Sequence, residues 1–593
     1  LAGLLLLVLV PVAGRASAAD WNPGQEIRRL SASLTPEETA LGVVLLREAE
    51  YGLDAGGSLI RTQRWLVRIG DRTDPAWLDW IFPDPASSRI GEAALYDDRG
   101  NRTTSLAVLS GDVEGIASLR VTVPPGSAGK ILALSVVRTQ VRRANVDDLL
   151  ILALDLPIRE QRIQVEVPSG SSLAWAGSGG VLDPGKSSSS GVDRYEWTHL
   201  NEKAWRTPGI LDDPRPALAF SLRKGPATAL QPLADLEAEY VAAPFPTGLI
   251  PKGLTPERAG LRLLQELEQP SRQLTGFPRD YARSPGLLPA QGPWTPWEEL
   301  LLAARGLSDL GFRCQVWWRP AFDIQDDGPA TDRLFLTPVL KGVAPGGSVS
   351  WFVPGQAAFW GGVPPALAGA SLMRLEGRSV QRETIPAGDA ASNRLLIRWD
   401  LTLAEDGTAA GSLELTIRGA WAGPLSGGIP PSGDLSRWAL ERFGFVVPAL
   451  RLSNGRAESL KSGYRVTFDA NCVLAIVQGT DLLLRLPGSV PLRLSELSKV
   501  QAPARLRFPF LLEQQFEVRT PRGYRAVALP PKDQGKGGLL SQQLVHWPRK
   551  GIMEGSCRLL VKSAKIDEAM AADLSGAIDR YLQFGSVMVG LRK

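Results

Sequence analysis

Short apolar runs that alternate with polar residues at a period of two recur along most of this chain, and they demand a fold built mainly from half-buried strands. Leu119, Val121 and Val123 alternate with Arg120 and Thr122, and Ile163, Val165 and Val167 with Gln164 and Glu166. The pattern returns at Leu413, Leu415 and Ile417, and again at Tyr464, Val466 and Phe468. Successive side chains of a strand point to opposite faces, so each run buries one face and wets the other. Turn chemistry at Asp98-Arg99-Gly100-Asn101 and Pro124-Pro125-Gly126 separates the runs. From about Leu41 to Arg223 no convincing long helix interrupts them, which predicts an antiparallel β-sandwich. Gly185 to Gly191 (GKSSSSG) is expected to be a flexible loop.

Beyond the Pro/Gly-rich connector Ala242 to Gly253 the period changes. Thr255-Pro256-Glu257 opens a helix, with a capping hydroxyl, Pro at the first helical position and an acid in the first turn; it runs to about Gln269. A second helix starts at Thr295-Pro296-Trp297-Glu298, whose spacing is that of a capping box. Leu300, Leu301, Ala304 and Leu307 line one side of it, and Gly311 ends it. Phe312, Cys314, Val316 and Trp318 then read as the apolar side of a strand. Strands return beyond about Gly369, and a last helix from about Ile566 to Leu582 presents Ile566, Met570, Leu574, Ile578 and Tyr581 on one face. The expected fold class is α+β, predominantly β. With 593 residues the chain exceeds a single core. The expected domains are a sandwich over 20–240, an α+β core over 250–370 and a C-terminal β-rich domain over 371–593.

The run Leu1 to Gly14, followed by Ala16-Ser17-Ala18, reads as the core of a secretory signal peptide over 1–18 without its basic n-region. It is shorter than the roughly 18 apolar residues of a spanning helix. These features predict a periplasmic or secreted protein that is not an integral membrane protein, with a mature N-terminus at Ala19 or Asp20.

Charge and composition exclude several functions. The net charge is +4 and the basic residues are scattered, so no nucleic-acid footprint is expected. Gly180 to Ser187 formally matches a phosphate-binding loop, but a serine run follows where that mechanism needs a helix, so no nucleotide is expected. Asp323, Gln325, Asp327 and Gly328 open like a calcium loop, yet Leu334 stands where the bidentate Glu belongs. Three cysteines (Cys314, Cys472, Cys557) and two histidines (His199, His546) lack the paired spacing of zinc ligands. No metal or cofactor is expected.

The order of sandwich, connector, helix, capped helix, strand and second β region resembles an architecture of exported bacterial proteins. In it an N-terminal β-sandwich domain of unknown function precedes a transglutaminase-like core of papain-type fold. Three stretches carry the resemblance: Trp294 to Gly311, Leu334 to Leu340, and Trp351 to Gly369. Active members of that family place a nucleophilic Cys at the helix start, where the dipole stabilises thiolate. They place a His on a following strand and an Asp just before a Pro. The resemblance puts Thr295 (or Pro296) at the first position, Thr337 at the second and Val353 at the third. It therefore implies that the catalytic residues are lost and that the three positions converge in space. Independently, 252–369 contains no His to activate a nucleophile. Cys314 reads as a structural thiol on a buried strand face.

The preferred expectation is a non-catalytic cell-envelope protein serving as an interaction or scaffolding module. Its partner would be an envelope protein, a peptide or cell-wall glycan. Two alternatives remain open: an exported hydrolase using a carboxylate pair not identifiable in sequence, and a carbohydrate binder using the close pairs Trp77/Trp80, Trp294/Trp297 and Trp317/Trp318.

Overall fold

The computed structural model describes residues 21–593 except 32–33, 114, 142–144, 206–214, 246, 252, 275–280, 426–431, 461–462, 492–493, 501, 503, 528, 530–532, 535–539 and 550. The signal-peptide segment 1–18 lies outside the described residues. Among those described, no helix is long and apolar enough to cross a membrane.

The alternating runs become three layered units of a predominantly β, α+β chain. The first is an eight-stranded sheet, ordered Gly185–Ser189, Val192–Glu202, Ile158–Pro168, Val43–Leu53, Leu59–Arg68, Ile131–Gln140, Ser88–Tyr96, Arg102–Ser105. Two three-stranded sheets cover one of its faces. One, ordered Asp79–Pro83, Ile116–Thr122, Val108–Val113, packs Phe82 and Val121 on Val67, Leu132 and Leu134. The other contributes Leu150, Leu218 and Phe220, against Tyr51, Ile163 and Trp197. Ile27, from the helix Pro23–Leu30, closes the opposite face. The sandwich is not wholly antiparallel, because Val43–Leu53 and Ile158–Pro168 pair in parallel at its centre. Nor is 185–191 a loop. Gly185–Ser189 is an exposed edge strand paired with Val192–Glu202 across a turn at Ser190 and Gly191, both at positive φ. Its backbone partner, rather than its polar composition, decides its conformation.

The central unit begins with helix α1 (Pro226–Ala242), followed by α2 (Pro256–Leu267) and α3 (Pro296–Asp309). Strands β1 (Arg313–Arg319), β2 (Thr337–Val343), β3 (Val349–Phe352), β4 (Ser371–Glu376) and β5 (Ser379–Thr384) form an antiparallel sheet ordered β3-β2-β1-β4-β5. Leu300, Leu301, Ala304 and Leu307 of α3 pack on Val316, Trp318, Leu340, Phe352 and Met373. Full burial of each such leucine stabilises the unit by about 1.5–3 kcal/mol. Gly306 lets α2 and the chain that precedes it approach α3: a Cβ there would meet Leu263 at 2.8 Å and Phe245 at 2.9 Å.

Both expected boundaries of this unit move. Ala229, Leu230, Leu233 and Tyr240 of α1 sit in the central core, so the sandwich ends near Ser221 rather than at 240. β4 and β5 belong to the central sheet through Trp318 and Met373, which carries the unit past 370 to about Ile385.

The third unit is another eight-stranded sheet, ordered Arg451–Leu460, Gly463–Val473, Thr408–Arg418, Arg394–Leu403, Phe510–Arg519, Ile552–Val561, Leu540–Arg549, Asp533–Gln534. Its central pair, Arg394–Leu403 with Phe510–Arg519, is also parallel. The terminal helix α4 (Glu568–Phe584) buries Leu574, Ala577, Ile578, Tyr581 and Phe584 in this unit's core.

Candidate functional site

The start of α3 is where the family resemblance puts a nucleophile, and here it is closed. Thr295 is the N-cap in extended conformation. Its Oγ accepts the Glu298 N–H at 3.3 Å and donates to the Tyr281 carbonyl at 2.6 Å. Its own N–H donates to Glu298 Oε2 at 2.9 Å, which completes the capping box. Pro296 brings no N–H. The hydroxyl is thus committed to holding the helix end, a task worth about 1 kcal/mol. Behind it Glu298 forms a fully buried bidentate pair with Arg283 (Nε–Oε1 2.8 Å, Nη2–Oε2 2.7 Å) and accepts the Arg283 N–H at 2.8 Å. Tyr240 donates to the Arg283 carbonyl at 2.6 Å, so the segment carrying Tyr281 and Arg283 is pinned across the helix start.

The structure brings Thr337 and Val353 to one face of the central sheet and Thr295 to the other. Thr337 lies opposite Arg319, whose Nη1 donates to the Ala366 carbonyl. Val353 packs with Trp317, Val339 and Trp351, away from α3. The expected convergence of all three side chains is therefore corrected to a pair and an outlier, because strand parity points Thr337 and Val353 away from the helix. A one-residue slip puts Pro338, opposite Trp318, and Phe352 on the α3 side. Neither side chain can exchange a proton. Trp297 fills the remaining space: its ring meets Trp318 edge-on at 4.8 Å and its Nε1 donates to the Leu336 carbonyl at 3.4 Å.

Cys314 borders the α3 core, and burial pushes its thiol up to about 11. Thiolate is the reactive form, so Cys314 is expected to react with iodoacetamide at pH 7 at least about tenfold more slowly than a free thiol. Fast stoichiometric labelling would restore it as a nucleophile. The phosphate-loop match at Gly180 to Ser187 ends in the edge strand, with no helix behind it. The paired tryptophans form no flat platform. Trp77 and Trp80 meet at 69°, and Trp294, Trp297, Trp317 and Trp318 are buried.

Two acids that sequence reasoning missed, Glu299 buried and Glu268 half-buried, lie beside the same helix. Glu299 is wholly buried; its Oε2 accepts from Gln273 at 2.7 Å and its Oε1 has no partner. Burial first, then the nearby Glu268 carboxylate, pushes Glu299 up to about 8. Glu268 caps α2 and accepts the Ala357 N–H at 2.8 Å; burial raises it to about 7. Elsewhere, Asp147 and Asp332 line a cavity of 270 Å³ with Asn145, Arg223 and Thr228. Both of these aspartates already have partners.

No family model matches the sequence, and no curated protein does. Among solved structures, a candidate protease from Parabacteroides distasonis is similar over 93% of this chain and 99% of its own, at 12% identity and a TM-score of 0.51. That likeness extends through all three units and concerns the fold alone. An M1 zinc metallopeptidase from Deinococcus radiodurans matches 45% of this chain and 64% of its own at 17% identity, with a TM-score of 0.19.

Proposed function

We propose that this chain is a non-catalytic scaffolding or interaction protein of the cell envelope, built around a transglutaminase-like core whose reactive positions have become structural. One observation carries the reading: the α3 N-terminus is spent on its own capping box and covered by Tyr281, Trp297 and the Arg283–Glu298 pair. A nucleophile needs a base within hydrogen-bond reach, and Pro338, Phe352, Thr337 and Val353 supply none. The Parabacteroides neighbour's description as a protease belongs to that protein; at 12% identity it carries no residue over. The envelope location rests on the signal-like segment 1–18, and the partner class on the same resemblance: an envelope protein, a peptide or cell-wall glycan.

The second reading, a carboxylate hydrolase, has one observation in its favour, the cavity holding Asp147 and Asp332. Fluorogenic peptides, an amine-transfer substrate and peptidoglycan fragments should show no turnover above buffer. Turnover abolished by Asp332→Asn would establish the hydrolase. Turnover abolished by Thr295→Ala would overturn the structural role of the helix start.

A further inference from the structure

The C-terminal unit carries a second, smaller sheet of four strands, ordered Ala475–Gln478, Asp481–Arg485, Met588–Arg592 and Arg525–Ala526. Strand parity divides its side chains between two faces. Leu482, Leu484, Val589 and Leu591 are buried in the unit's core. The other face is turned outward. On it Ile476 stands opposite Leu483 and Leu483 opposite Gly590, and the Val527 N–H donates to the Gly590 carbonyl at 2.8 Å, so one apolar row crosses the whole sheet. Ile476 is 54% exposed, Val527 59% and Met588, on the same face, 43%. Large apolar side chains grouped outside a fold mark a surface that meets something else.

The charges on this face are mostly of one sign. Arg485 lies opposite Met588, and Arg592 directly opposite Arg525. Like charges directly across two strands oppose sheet formation. Asp481 meets Arg592 at 3.3 Å, while the exposed Arg525 has no partner among the described residues. The facing arginines are therefore one negative charge short.

We propose that this face docks the chain peripherally on a bilayer surface rich in anionic phospholipid. Ile476, Leu483, Val527 and Met588 enter the acyl boundary, and Arg485, Arg525 and Arg592 stay at the level of the phosphates. Side chains on one sheet face meet a planar surface together, and arginine keeps its apolar stem among the acyl chains while its head reaches the phosphates. A second copy of the chain fits less well, because identical faces bring like net charges together. Docking of this kind is independent of the role of the α3 start.

Flotation of the full chain should show mixed phosphatidylcholine–phosphatidylglycerol vesicles bound at least about tenfold more tightly than phosphatidylcholine alone, since each arginine near an anionic surface contributes about fivefold. Raised salt should weaken that preference. Arg525→Glu should lower affinity for the mixed vesicles at least about fivefold, with the urea midpoint unchanged because the side chain is exposed. Ile476→Cys carrying a polarity-sensitive dye reads the face directly, because Cys472 and Cys557 are buried and Cys314 is expected to react slowly. Its emission should shift to the blue on mixed vesicles. The proposal is overturned if mixed vesicles do not bind, or if the dye at 476 stays in water while the chain binds through another segment such as 1–18. It is equally overturned if Arg525→Glu leaves the preference intact, if polyglutamate binds the face in place of vesicles, or if the chain is a dimer that Ile476→Ser splits.

Discussion

Replacing Glu298 by Gln should destabilise the central unit by about 3–5 kcal/mol, the range for removing one partner of a buried ion pair. The side chain keeps its shape in this substitution, so the loss isolates the charge. Glu298 meets Arg283 on two atoms, receives the Arg283 N–H and closes the Thr295 capping box. Without the carboxylate, the Arg283 guanidinium stays buried, facing a neutral amide where its counter-charge was, and keeps the Pro293 carbonyl at 2.8 Å as an acceptor. The segment across the helix start then loses its anchor. Urea unfolding followed by tryptophan emission reports it directly, because Trp294 and Trp297 flank the site. Thr295→Ala, which removes only the cap, should cost about 1–2 kcal/mol. A Glu298→Gln protein as stable as its parent would mean that the pair does not hold the helix start, and the structural reading of that position would fall.

The parts of this arrangement that were legible in sequence are local ones. The capping box at Thr295 and Glu298 needs only four consecutive residues, and it forms as its spacing predicts. The single-sided strands also follow their alternation. The central sheet defeats that logic because it is buried on both faces: Val316, Trp318 and Leu340 face α3, and Trp317, Val339 and Trp351 face the other layer. Alternation then vanishes, and with it the parity that separates Thr337 from Pro338. Helix α1 was illegible for a related reason. Pro232 interrupts its pattern, and its turns bury Ala229, Leu230, Leu233 and Tyr240 within the central core. The two eight-stranded sheets share a central parallel pair with antiparallel strands to either side, yet no repeat is visible in sequence. Backbone pairing and burial can be conserved by many different side chains. Glu299 is the instructive miss at the site. Beside Glu298 in a first helical turn it reads as an acid complementing the dipole, and only its burial beneath Gln273 and beside Glu268 shows what raises its pKa.

Stability of the central unit should fall as pH rises from about 5 to 8, and Glu299→Gln should flatten that fall. The sign follows from which state holds the proton. Burial raises Glu299 to about 8 and Glu268 to about 7 in the folded protein, above the ordinary carboxylate range. Below about pH 4 both states are protonated, and the stabilisation from these groups is fully present. As pH rises, the unfolded chain releases its protons first while the folded chain keeps them, so unfolding gains about 1.4 kcal/mol per pH unit for each group. The loss ends once the folded acids ionise too, Glu268 before Glu299. That order agrees with their surroundings. Glu268 receives backbone N–H groups from Gly355, Gln356 and Ala357, which favour its anion, whereas Glu299 Oε1 has no donor at all. The groups facing the pair are Gln273 on Glu299 and Tyr464 of the C-terminal sheet near Glu268; Tyr464 is itself raised by burial and then by Glu268. Glutamine at 299 stays neutral throughout, so its variant should lose the steepest part of the dependence, on the order of 3–4 kcal/mol between pH 5 and 8. Urea midpoints across that range decide the matter. A parent and a Glu299→Gln variant with parallel pH profiles would show that Glu299 is already ionised near neutrality, with water or a cation reaching an atom the packing leaves alone.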